Sequence, residues 1–187
     1  LGIVSVSRLF APIFWGEDFA PCAYILSALA LSIPFSGFAN VIRMQYLIPN
    51  GMDGAYILSV ILGAVSNLTA NSLLIPRCGA LGAAVGTVIA EGVVCAAQCL
   101  AVKKRIDILA YLKSTAFFGM AGLLMYGAVR VLDQRAEITV SWLLLEIVVG
   151  GSVYCILSVL YLYHTKNELL MTALQKLGGA HQNNDRG

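Results

Sequence analysis

Polar side chains recur at helical spacing inside otherwise apolar runs of this chain. Ser32, Ser36 and Asn40 stand four apart, and Arg43 follows three further on. Ser59, Gly63, Asn67 and Asn71 repeat the pattern, as do Ala83, Thr87, Glu91 and Cys95, with Gln98 close by. Residues at i, i+3 and i+4 share one side of a helix, so each run predicts a helix with one polar and one lipid-like face. Two readings compete for these stripes. Small, weakly polar residues let helices approach and hydrogen-bond, and Gly82-Ala83-Ala84-Val85-Gly86 is a GxxxG pattern suited to that. Packing is therefore the simpler reading of the serines and glycines. Charges ask for more. An ionised group at the centre of a membrane helix costs about 2.5–3.5 kcal/mol on insertion scales, so it faces a partner or a wet cavity. Glu91 falls near the middle of its run, and Glu146 lies less deep in its own. Arg43 stands near the end of a run, where snorkelling to headgroups is the competing role. Asn40, Arg43, Asn67, Asn71, Glu91 and Gln98 are the candidates to line a polar cleft.

Catalytic patterns are missing from the sequence. It holds no nucleophile–base pair, no metal-spaced cluster and no phosphate-binding glycine loop, and His164 and His181 stand without sequence partners. No catalytic residue, metal or cofactor is expected, and the chain does not read as an enzyme. Cys22, Cys78, Cys95, Cys99 and Cys155 lie almost entirely within apolar runs and read as small packing residues, although Cys95 and Cys99 share a helical face. Asn67-Leu68-Thr69 matches a glycosylation acceptor but falls inside a membrane run, out of reach of a transferase.

The elements that must carry these side chains follow from composition. Of 187 residues, 59% are hydrophobic and 12% charged, and the mean hydropathy is +0.82. A soluble domain carries roughly a quarter charged residues. The net charge of +2 comes from basic residues scattered among apolar runs, so no nucleic-acid partner is expected. Crossing about 30 Å of hydrocarbon takes roughly 20 helical residues. The fold class is therefore all-α, a polytopic transmembrane bundle of about six spans: Leu1–Trp15 (truncated), Phe19–Met44, Ala55–Ile75, Leu81–Val102, Leu112–Val131 and Val140–Tyr163. The Leu-Ile-Pro triplets at Leu47–Pro49 and Leu74–Pro76 each end a helix at a membrane face, because proline cannot extend the helix behind it and a following glycine permits reversal. The first run is too short to cross comfortably and lacks signal-peptide features, so the chain reads as a fragment of a longer membrane protein, cut within a helix. The fifth and sixth runs lack polar striping and read as helices facing lipid or appended around a polar-cored bundle, which assigns the cavity chiefly to the second to fourth spans.

Sidedness follows from lysine and arginine. Arg43, Lys103, Lys104, Arg105, Lys113, Lys166, Lys176 and Arg186 fall on one side, and Arg8, Arg77, Arg130 and Arg135 on the other, where Asp133 and Glu137 flank Arg135. The richer side is expected to be cytoplasmic, with the C-terminal tail inside. Ile106, Leu109 and Leu112, and again Leu170, Leu174 and Leu177, suggest short interfacial segments. The end of the chain reads as disordered.

Three stretches carry a family resemblance. "FWGEDFAPCAYILSALALSIPFSGFANVIRMQYLIPNG", "LIPRCGALGAAVGTVIAE" and "VKKR" resemble the C-terminal half of bacterial polysaccharide-biosynthesis flippases, the O-antigen and exopolysaccharide translocases of the multidrug/oligosaccharidyl-lipid/polysaccharide exporter superfamily. The likeness covers roughly residues 10–105; the segment after Arg105 resembles the two extra helices of fourteen-helix members. The resemblance implies a two-lobe alternating-access transporter. Residues 1–105 would then be part of its C-terminal lobe, 106–163 two additional transmembrane helices and 164–187 a cytoplasmic tail. It also implies an undecaprenyl-pyrophosphate-linked oligosaccharide as substrate, the missing N-terminal lobe and membrane lipids as partners, a possible coupling cation, and the bacterial cytoplasmic membrane as location. Arg43 is the local candidate to balance the phosphates. A cation-coupled drug exporter of the same superfamily shares that fold. A membrane-embedded polymerase would want a large outer loop that this chain lacks.

Overall fold

The computed structural model describes residues 1–134 and 138–164. The expected tail, with Leu170, Leu174 and Leu177, lies outside the described residues, as do Arg135 and Glu137. Among the described residues every regular element is helical, in the order α1 (Gly2–Trp15), a 3-10 turn (Glu17–Phe19), α2 (Cys22–Ala30), α3 (Ser32–Ile42), a π-helical segment (Arg43–Leu47), α4 (Asp53–Val102), α5 (Ile108–Asp133) and α6 (Val140–His164). Four helices are long and apolar enough to cross a membrane: Cys22–Leu47, Asp53–Val102, Tyr111–Asp133 and Val140–Tyr163. They fit a multi-pass membrane protein. α1 is apolar but only 14 residues long.

Two breaks within these helices have covalent causes. α2 and α3 form one membrane-length unit interrupted at Leu31. Pro34 has no N–H to offer the carbonyl of Ala30, and Leu31 N–H closes a tight turn on the Ala28 carbonyl instead, at 3.0 Å. α4 spans 50 residues but holds one non-helical residue, Gly79, at φ 56°, ψ −135°. A positive φ favours glycine strongly. Pro76 is taken inside the helix rather than ending it, so the reversal falls three residues later than the Leu-Ile-Pro sign implies. The first triplet behaves closer to expectation, with Gly51 at φ 64° completing its turn.

The two arms of α4 fold back on each other. A Cβ at Gly82 would strike the Leu74 carbonyl and come within 2.9 Å of Ile75 N; one at Gly86 would strike Asn71, and one at Gly63 would strike Val94. Gln98 Nε2 donates to Ser59 Oγ across the same seam at 3.1 Å. The seam thus runs antiparallel from the Gly79 tip to the far end, where Val102 and Leu47, both fully buried, pack with Ile42 against Met52, Tyr56 and Ile106. In hydrocarbon no hydrophobic force drives helices together, and close approach over small residues takes its place. The outward side chains, including Leu58, Ile61 and Val65, are exposed and apolar, as a lipid-facing surface requires.

α3 packs on α4, α2 on α4 and α1, and α1 on both α5 and α6, which pack on each other. One sequence expectation is corrected here. Leu109 and Leu112 belong to the opening turns of α5, while Ile106 packs on the Val102 cluster, so the expected short segment is continuous with α5 and is not an element of its own. The second unit likewise runs on to Leu47, because the π segment extends it beyond Met44.

Candidate functional site

A cleft of about 990 Å³ opens between α3, the start of the π segment and both arms of α4. α3 contributes Ser32, Ser36 and Asn40, and Arg43 stands at its foot. The first arm of α4 supplies Gly63 and Asn67, and the second supplies Thr87, Glu91 and Gln98. The fourfold spacing along each segment turns these residues to one side, and the glycine seam brings the two α4 arms close enough to share a wall.

The polar groups have unequal partners. Arg43 Nη2 donates to Asn40 Oδ1 at 2.5 Å, and its guanidinium lies 5.4 Å from the centre of the Tyr56 ring. Its Nε is buried with no hydrogen-bond partner among the described residues. The side chain is folded back along the cleft wall instead of reaching away to headgroups. Gln98 is 1% exposed; its amide nitrogen is bound to Ser59, and its Oε1 has no partner among the described residues. Glu91, half-buried, makes no hydrogen bond or ion pair with another described residue. Glu91 precedes Gln98 by seven residues, about 10 Å along the arm. The acid and the Arg43 end of the cleft therefore lie at different depths.

Of the sequence candidates, Asn40, Arg43, Asn67, Glu91 and Gln98 line this one cleft. Asn71 does not. Its Nδ2 donates to Asn67 Oδ1 at 2.9 Å and its carbonyl end presses on Gly86, so it braces the seam and orients Asn67. Ser59 also turns away from the cleft, to the Tyr56 carbonyl and Gln98.

A second polar cluster escaped sequence reasoning. Arg8 of α1 and Arg130 of α5 both reach Asp133 Oδ2 through Nη1, at 3.1 and 3.0 Å. Asp133 is 2% exposed, and Glu146 of α6 is fully buried nearby. The pairing spans 125 residues, and each helix contributes one or two charges without a repeat, so no periodic stripe betrays it. The one available signal was Glu146 itself, an acid in an otherwise apolar run. Among the described residues no group of three or more His, Cys, Asp and Glu side chains converges as a metal centre would need.

Comparison with protein-family models, curated proteins and solved structures returned no match to this chain.

Proposed function

We propose that this chain is part of a membrane flippase that carries a lipid-linked oligosaccharide across the bilayer by alternating access. The reading takes α1, the Cys22–Leu47 unit, the two arms of α4, α5 and α6 as about six passes. It assigns residues 1–105 to one lobe of a two-lobe transporter, with a second lobe closing the cleft. Glycan and pyrophosphate cannot enter hydrocarbon unaided; a polar cleft shelters them while the lipid tail stays in the bilayer. The supporting observation is that Asn40, Arg43, Asn67, Glu91 and Gln98 meet in one cleft whose outer helix faces are apolar. Its volume is at the upper end for small-ligand sites. The sequence resemblance points the same way. The basic turn at Lys103–Arg105 and Arg43 lie toward one end of the bundle, and Arg77 lies at the opposite tip. By the positive-inside rule the first end is cytoplasmic, which puts the C-terminus inside, in a bacterial cytoplasmic membrane.

Arg43 carries the test. A guanidinium holds phosphate oxygens through two parallel hydrogen bonds, whereas lysine acts as a point charge. Arg43→Ala is expected to abolish delivery of lipid-linked glycan to the outer leaflet, and Arg43→Lys to lower it, with equal membrane protein by immunoblot. Full transport by the alanine variant would remove Arg43 from the substrate path and with it the phosphate-binding reading.

A second reading, a cation-coupled drug exporter, is favoured by Glu91, an acid in the same cleft with no hydrogen-bond or ion-pair partner among the described residues. That protein would need Glu91 and be indifferent to Arg43→Ala, so the same variants separate the two.

A further inference from the structure

Glu146 presents an energetic problem that the cleft does not share. It lies in the second turn of α6, is 0% exposed, and neither carboxyl oxygen has a hydrogen-bond partner among the described residues. A buried, unpaired carboxylate is among the most costly groups a protein can hold, and it neutralises by taking up a proton. The helices packed on α6 are α1 and α5. The charged groups they bring near Glu146 are Arg8 from α1 and Arg130 and Asp133 from α5.

These neighbours also make the ionised form attainable. Two guanidinium groups share a single carboxylate, and both do so through Nη1 on the same oxygen, Asp133 Oδ2. Asp133 Oδ1 is left buried without a hydrogen-bond partner among the described residues. Among the described residues the triad therefore carries one surplus positive charge, and most of the donors of Arg8 and Arg130 are uncommitted. An ionised Glu146 would cancel that surplus and offer those donors an acceptor. The two guanidinium groups, though not Glu146 itself, border open space. Arg8 and Arg130 keep 59% and 52% of their side chains exposed, and both line a cavity of about 650 Å³ between α1, α2 and α5.

We propose that Glu146 is a reversible proton-binding site within the bundle, its carboxyl neutral in the present arrangement and, once ionised, paired with Arg8 or Arg130. The step is a proton transfer alone: the carboxylate takes a proton from water through the arginine-lined cavity and returns it the same way. It holds whatever the cleft carries.

Infrared spectroscopy of the whole protein in lipid vesicles tests it, through the C=O absorption of protonated carboxyl groups. At neutral pH wild type is expected to show such a band, shifted in D2O and lost reversibly as the pH is raised. Glu146→Gln, close to isosteric, removes the band while circular dichroism stays unchanged. Asp133→Asn frees both arginines for Glu146, so the band is lost at neutral pH in that variant too. A merely structural Glu146 would not respond to Asp133. The proposal is overturned if wild type lacks the band, if it survives in Glu146→Gln, or if it persists in alkali until the protein unfolds. Retention of the band in Asp133→Asn would overturn the exchange with the arginines.

Discussion

In the cleft, Asn40 is exposed and Arg43, Asn67 and Glu91 are half-buried, each helical segment giving several polar groups at a regular spacing. Where α1, α5 and α6 meet, Asp133 and Glu146 are sealed at 2% and 0% exposure, and the charges answer one another within the protein. The first arrangement leaves room and unused hydrogen-bonding capacity for something from outside. The second, among the described residues, joins Arg8, Arg130 and Asp133 to one another and leaves Glu146 beside them without a hydrogen-bond partner. Polarity in a membrane bundle is thus not one property: distributed along a wall it suits a ligand, and concentrated at a helix contact it suits an internal charge balance.

Breaking the seam under the cleft should give the largest effect. A side chain at Gly82 meets backbone, which cannot swing aside, so Gly82→Val is expected to exceed the usual overpacking cost of about 1–3 kcal/mol. Folded protein recovered from membranes should drop about tenfold or more, at 1.4 kcal/mol per decade. On α5 a Cβ at Gly127 meets no atom of the described residues within 4 Å, so Gly127→Val should leave the yield unchanged. Equal loss at both positions would mean that any added bulk in these helices is harmful, and the seam would have no special standing.

Next in size is Glu91→Gln. It keeps shape and removes charge, so membrane levels should hold while transport falls on the order of tenfold, in keeping with about 1.5–3 kcal/mol for a hydrogen bond to a charged group. Undiminished transport would reduce Glu91 to a packing residue and erase the contrast between cleft and helix contact.

Asp133→Asn should give the smallest measurable loss. Although Asp133 is buried, both of its arginines remain more than half exposed, which places each pair near the exposed class of about 0.2–1 kcal/mol. A fall of a few degrees in Tm is expected in a detergent melt. A collapse comparable to Gly82→Val would show that the arginines are effectively buried in the lipid-embedded protein.

The sequence was most legible where one helix segment repeats its message. Ser32, Ser36, Asn40 and Arg43 advertise a face by spacing alone, and the α4 arms do the same, so the cleft residues could be named before their helices were seen together. Asn71 satisfies that pattern equally well, yet points at Gly86. Which side of a stripe faces a neighbour and which a cavity depends on the partner helix, and spacing carries no information about that. Arg8 and Asp133 were illegible for a different reason. Each lies in or at the end of an apolar helix, and only tertiary contact across 125 residues makes them a pair. The reading of α5 and α6 as lipid-facing or appended helices marked Glu146 as a charge in need of a partner but missed the Arg8–Asp133–Arg130 cluster beside it. Pro76 misled by a few residues because helix-breaking is set by where a positive φ can be held, and that is Gly79.

The π segment below Arg43 has a consequence for how the length of such a chain can change. Ile48 N–H reaches the Arg43 carbonyl, five residues back, at 3.0 Å, so the segment behaves as an α-helix with one residue wound in surplus. Loss of one residue there, such as Met44, would let the segment rewind as ordinary helix with α3 above it undisturbed. Loss of one residue between Ser36 and Asn40 would instead turn the upper wall about 100° relative to Arg43, carrying Ser32 and Ser36 out of register. Loss of a residue is thus tolerable at the foot of the cleft and ruinous within its wall.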